Sequence, residues 1–233
     1  MQLRHAISIL VAALVACAAT PAGATAEYDY GADEYVIIDG GLSRDTRTSL
    51  AAHADPGGGN FHVWLMAEPA HRKVAMLDAI GDDNNLDTKA NAYHAEWSTD
   101  SRHVAVSWRR ERHALQLNLY VIEKDRPHLI TGPSLFHDVA GRDIGKDDDI
   151  RRGSPSIEWR TANRFVLRER MLLMTTDAGF AGRLGRFARI AERHEGGRFL
   201  VEFSAVADCV LAAGRRYRIA ALRPGPFGDA DGW

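Results

Sequence analysis

Three groups of side chains in this sequence have types and spacings that could do chemistry. The first is acidic. Asp83, Asn85 and Asp87 repeat the alternating oxygen ligands that open a calcium loop, but the sixth position is Thr88 and the twelfth His94. That loop needs a glycine for its sharp turn and a bidentate glutamate at those places. Asp147, Asp148 and Asp149 form a second acidic run, balanced by Lys146 and by Arg151 and Arg152. Both runs read as solvated loops. The second group is histidine. His53, His62 and His71 are evenly spaced, as are His94 and His103, and His128 and His137. The step is odd on a strand and a half-integral number of helical turns, so neighbours point to opposite faces and build no metal site within one element. Surface or loop positions are expected for them. The third group is basic: Arg109, Arg110, Arg112 and His113 crowd one hairpin tip with only Glu111 to offset them. It reads as solvated charge or as a contact for an acidic partner or an anionic polymer.

Nucleophile motifs are missing: the sequence has no G-x-S-x-G, no S-x-x-K and no P-loop. Ser134 lies near His137 and Asp138, but a triad usually converges from distant segments, so a loop is expected there. No catalytic, cofactor-binding or metal-ligating residue is assigned, and no cofactor is implied.

The chain has 233 residues, 45% hydrophobic and 26% charged, with a formal charge of −2. That is the composition of a globular protein, and near-neutral charge gives no reason to expect nucleic acid as partner. Residues 1–26 read as an export leader: Arg4, an apolar run from Ala6 to Ala16, Pro21, then Ala24-Thr25-Ala26 as a small-x-small cleavage pattern. The run is too short for a permanent bilayer span. Leu14-Val15-Ala16-Cys17 offers a competing site, because it resembles the bacterial lipobox, whose cysteine becomes lipidated. Both readings give a periplasmic or secreted location, with a membrane anchor only if Cys17 carries lipid. Cys209 is then the only cysteine left, so burial alone must hold the fold. Its neighbours Val206, Val210 and Leu211 predict a buried, inert thiol.

After a polar lead-in over 27–33, most of the chain reads as short strands separated by turn clusters. The domain is expected over 34–223, with a tail over 224–233 that does not pack. Phe180, Leu184, Phe187 and Ala191 recur at helical spacing, though Gly182 and Gly185 weaken a helix. A single helical turn followed by a strand from Arg186 fits equally. Val139 to Gly153 is expected to be loop.

Self-similarity organises these strands. Ser43-Arg44-Asp45-Thr46-Arg47 aligns with Ser98-Thr99-Asp100-Ser101-Arg102, and Glu96-Trp97-Ser98-Thr99 with Glu158-Trp159-Arg160-Thr161. Phe61, Val63 and Leu65 match Leu117, Leu119 and Val121. The unit is about 55–60 residues long, the size class of propeller blades. A strand ends at Leu42, Trp97 or Trp159, and a polar turn follows. In it Asp45 and Asp100 can accept an N–H two residues on, with Asn163 as the counterpart in the third copy. The next strand places Val104, Val106 and Trp108 on one face. A longer strand, a tight turn and a short outer strand complete a four-stranded antiparallel meander.

Such meanders resemble the TolB-type β-propeller repeats of periplasmic proteins, most clearly over residues 92–131. The resemblance implies an all-β, mostly antiparallel fold with propeller-like repeats and little helix. Two good units and one degenerate unit leave its closure open, since propellers usually close with four or more blades. The turn motif is structural and brings no catalytic residue. The expectation for function is a non-catalytic interaction or scaffolding module of the envelope. It would contact an envelope protein or anionic polymer through Arg109, Arg110, Arg112 and His113. The alternatives are a metal-dependent or acid–base hydrolase using the acidic loops, and a structural lipoprotein anchored through Cys17.

Overall fold

A computed structural model describes residues 25–144 and 149–228. The strands are β1 (Val36–Leu42), β2 (Thr48–His53), β3 (His62–Ala67), β4 (Arg72–Gly81), β5 (His94–Trp97), β6 (His103–Glu111), β7 (Ala114–Glu123), β8 (Arg126–Ile130), β9 (Asp149–Thr161), β10 (Arg164–Thr175), β11 (Ala188–His194), β12 (Arg198–Ala212) and β13 (Arg216–Pro224). The α-helices are α1 (Leu135–Ala140) and α2 (Phe180–Leu184). The thirteen strands form one open mixed sheet in the order β11-β12-β10-β9-β7-β6-β5-β1-β2-β3-β4, with β13 also on β12 and β8 also on β7.

The order resolves into three antiparallel meanders: β1 to β4, β5 to β8, and β9-β10-β12 with β11 and β13 sharing the outer edge of β12. Two parallel contacts join them, each at one register point: Asp39 with His94, and Ala114 with Gly153. Alternation along β6 and β7 then divides the core. Val104, Val106, Trp108 and Tyr120 pack on Ile38, Leu50, Val63 and Leu65 of the first meander. Ala105, Leu119 and Val121 pack on Trp159, Phe165 and Leu167 of the third.

The repeated residues do the joining. The Trp97 indole N–H donates to the Gly41 carbonyl at 3.0 Å, and that of Trp159 to Glu96 at 2.9 Å. Each tryptophan thus binds the preceding meander just before its equivalent residue. Among the described residues no meander precedes Leu42, which is exposed. The turn after each strand is the same in the first two units. Asp45 accepts the Ser43 hydroxyl (2.8 Å) and the Arg47 N–H (3.1 Å), and Asp100 accepts the Ser98 hydroxyl (2.6 Å) and the Arg102 N–H (3.1 Å). In the third, Asn163 takes the Thr161 hydroxyl instead (3.0 Å).

Several expectations need correction. The segment around Ser134 to Asp138 is helix: the Ser134 side chain caps it, Gly141 ends it in the left-handed region, and Leu135 and Phe136 are fully buried. β9 starts at Asp149, inside the segment expected to be loop. Of the two readings for 180–191, a short helical turn and then a strand is correct. The tail packs as far as residue 228: Gly225 N–H donates to Ser204 O, the Ser204 hydroxyl to Pro226 O, and Gly228 N–H to Glu202. The lead-in also packs, with Tyr30 in the core. Ala26, expected to leave with the leader, donates its N–H to Asp87 (2.7 Å), and its carbonyl accepts from Thr88 and Lys89. Residues 1–24, including Cys17, lie outside the described residues.

Two predictions follow from these contacts. A chain beginning at Glu27 loses the Ala26 bonds to Asp87, Thr88 and Lys89, and should be about 2 kcal/mol less stable than one beginning at Thr25, measured by urea denaturation. The hydroxyl of Ser43 and the N–H of Arg47 hold the Asp45 carboxyl below its ordinary range. Burial works against this at Asp100, but Ser98 and Arg102 still hold that carboxyl low. Both aspartates therefore stabilise the fold above the unfolded-state pKa of about 3.9, and that contribution is lost as pH falls through the lower folded value. Asp45→Asn with Asp100→Asn keeps an acceptor and removes the proton linkage, so the acid limb of stability against pH should become shallower.

Candidate anion-binding cleft

Alternation also fixes the outward face of the third meander. Trp159, Phe165, Leu167, Phe203 and Ala205 turn to the core. Their neighbours form rows on the other face: Ser154, Arg170 and Ser204 are register partners, as are Ser156, Arg168 and Val206. This face floors a cleft of about 780 Å³, walled by the β6–β7 tip and by Pro226 to Gly228. Six arginines line it, Arg109, Arg112, Arg151, Arg152, Arg168 and Arg170, together with His113. Among the described residues the one acid in the lining is Glu169, and burial raises its pKa despite amide hydrogen bonds from Leu135 and Phe136.

Carboxylates outside the lining hold several of these guanidiniums. Arg170 lies 2.7 Å from Glu202, which is 1% exposed and also pairs with Arg189 at 2.8 Å. Arg168 lies 2.6 Å from Glu158, and Arg151 2.6 Å from Asp149. Arg109 is bidentate on Asp87, at 2.9 and 2.7 Å. A planar guanidinium carries five N–H groups, of which one carboxylate takes at most two. The arrangement therefore suits bidentate recognition of phosphate or carboxylate.

The basic tip singled out from sequence is divided. Arg109 turns inward to Asp87 and is a structural residue as well as a cleft wall. Arg112 and His113 are exposed at the cleft. Arg110 lines an adjoining cavity instead. Sequence reasoning missed Arg168, Arg170 and Glu202. Alternation over Val201–Cys209, with polar Glu202, Ser204 and Asp208 between apolar residues and a break at Val206, was the signal available.

The other candidates are used structurally. Asp83 is exposed, but Asn85 donates to the Tyr93 hydroxyl (3.0 Å), and Asp87 is buried against Arg109. The run that resembles a calcium loop is therefore not simply solvated. Asp149 opens β9, while Asp147 and Asp148 lie outside the described residues. Ser134 accepts the His137 N–H (3.1 Å), and the His137 ring bonds Asp143 (3.0 Å), which makes a helix cap and an exposed pair. The histidines do not all lie on the surface. His53 is buried, stacked on Tyr35 and bonded to the Glu34 carbonyl. Burial lowers the pKa of His103, which packs beside Trp159. Among the described residues no group of three or more His, Cys, Asp or Glu side chains is placed to hold a metal ion. Cys209 is 1% exposed, and burial pushes its thiol up to about 12.

Comparison with family models, with curated proteins and with solved structures gives no match. The functional reading therefore rests on the chain's own geometry.

Arg109 and Arg112 lie close in sequence and differ in role. Arg109→Ala leaves the buried Asp87 without its counter-charge and should cost about 3 kcal/mol in urea denaturation. Arg112→Ala should leave the midpoint unchanged. A thiol reagent should label Cys209 only once denaturant has unfolded the chain, which mass spectrometry reads directly.

Proposed function

We propose that this protein is an exported, non-catalytic binding module whose arginine-lined cleft holds an anionic component of the bacterial envelope. The observation that carries the reading is the concentration of six guanidiniums in one cleft, several anchored by carboxylates that do not line it. Anchoring fixes the donors before a ligand arrives, so less side-chain entropy is lost on binding. The rigid sheet floor and the hairpin wall suit a binding role. The apolar leader of residues 1–26 and the resemblance of the meanders to TolB-type repeats support the placement outside the cytoplasm. Among the described residues no helix is long and apolar enough to cross a membrane.

The test is titration of the chain with inorganic pyrophosphate at low and physiological salt. Saturable binding that weakens with salt is expected. Arg112→Ala with Arg168→Ala should weaken it at least tenfold while the melting temperature stays within a few degrees. Binding that is absent, or unchanged in the double variant, would overturn the assignment.

A further inference from the structure

The pairing of β13 with β12 ends at Pro224, which has no N–H to extend the ladder. Residues 225–228 then lie over the outward side chains of β12 as a strap. Gly225 donates its N–H to the Ser204 carbonyl at 3.0 Å, and the Ser204 hydroxyl donates to the Pro226 carbonyl at 2.8 Å. Gly228 donates its N–H to Glu202 Oε1 at 3.1 Å. Arg189 donates to the Gly228 carbonyl, and its guanidinium lies 5.2 Å from the centre of the Phe227 ring.

Both glycines are required by closeness rather than by backbone freedom. Neither has a positive φ. A Cβ at Gly225 would overlap the Ser204 hydroxyl, and one at Gly228 would overlap the Arg170 guanidinium, 2.7 Å from Cζ. Arg170 is thus held twice. Glu202 Oε1 takes its Nε at 2.8 Å and its Nη2 at 2.7 Å, and the strap backbone lies against it. The same oxygen takes the Gly228 N–H, while Arg189 holds the other oxygen at 2.8 Å. Strap, carboxylate and cleft arginine form one knot. Outside that knot little keeps the strap down. Pro226 is exposed, Phe227 and Gly228 are half-buried, and none of the three joins either core. A segment with few buried apolar contacts opens locally at low cost, so the strap can lift while the sheet stays folded.

We propose that residues 225–228 are a latch that regulates the anion site, which is at full strength with the strap down and weakened when it lifts. This rests on the anion-binding reading above and adds how that site is switched. Lifting removes a wall of the cleft, takes the Gly228 N–H from Glu202 and frees Arg170 on the side the strap covers. The ligand must then pay for ordering donors that the closed strap holds in place. Cleavage of the strap, or a partner that draws it off, releases the anion.

The test follows the strap as the site fills. Amide exchange at Gly225 and Gly228 is read by NMR on the unaltered chain, with and without saturating pyrophosphate. Coupling between two sites is reciprocal: if lifting the strap weakens pyrophosphate about tenfold, bound pyrophosphate should slow exchange at both amides about tenfold. Gly228→Ala, which sets a Cβ against Arg170, should weaken pyrophosphate by about the same factor and leave the urea midpoint unchanged. In an Arg170→Ala chain the overlap is gone, and adding Gly228→Ala should cost no further affinity. Exchange that stays the same or quickens while pyrophosphate binds would overturn the latch and leave the anion site standing. Equal losses from Gly228→Ala with and without Arg170 would overturn the route through that guanidinium. The exchange measurement decides the matter even if a variant does not fold. Failure of pyrophosphate to bind the unaltered chain would overturn both readings.

Discussion

A row of packed meanders that does not close on itself exposes the outer face of its first unit and of its last. Each such face is one that a neighbouring unit would otherwise bury, and leaving it apolar invites association. The composition of both ends of this fold answers that constraint. At the first meander, Tyr35 stacks on His53, the Ser49 hydroxyl donates to Glu68, and His71 bonds both Glu68 and the Tyr35 carbonyl. Those contacts cover the sheet with the chain's own loops. At the third meander the face is charged, and the C-terminal segment lies over it through Ser204 and Glu202. Terminal units with polar outer faces are the usual solution in repeat proteins.

The charged end has a further consequence. Arginines on a sheet need counter-charges, and several are supplied from outside the cleft they line. Glu202 is the clearest case: a carboxylate 1% exposed, shared between Arg170 and Arg189 and satisfied further by the Gly228 N–H. A buried carboxylate is costly unless its lone pairs are met, and here several donors converge on it. The same contacts that make the face stable as an end therefore hold donors in place for a ligand.

The strands and the repeat were legible in the sequence because their causes are local. Alternation of apolar and polar residues marked most strands, and the Ser-x-Asp turn follows from the short reach of its side chains. The tryptophans were visible as repeat landmarks. Their donation to the preceding meander was not, because that acceptor is set by how two sheets stack. The cleft was half legible. The tip residues stood out as a basic cluster, whereas Arg168 and Arg170 stand in a strand and were read as part of it. Asp87 resembled a calcium ligand because its true partner, Arg109, lies 22 residues further on, in β6. The helix after Ser134 was missed although a cap and a terminating glycine bracket it, since six residues carry almost no periodicity.

The most direct measurement of the central claim is a crystal structure of the chain soaked with pyrophosphate. The account predicts the anion on the outer face of the third meander, within hydrogen-bond distance of Arg112, Arg168 and Arg170, with Arg170 still paired to Glu202. An anion held elsewhere, or an Arg170 that leaves Glu202 to reach it, would contradict the claim that the end of the fold is a preformed anion site.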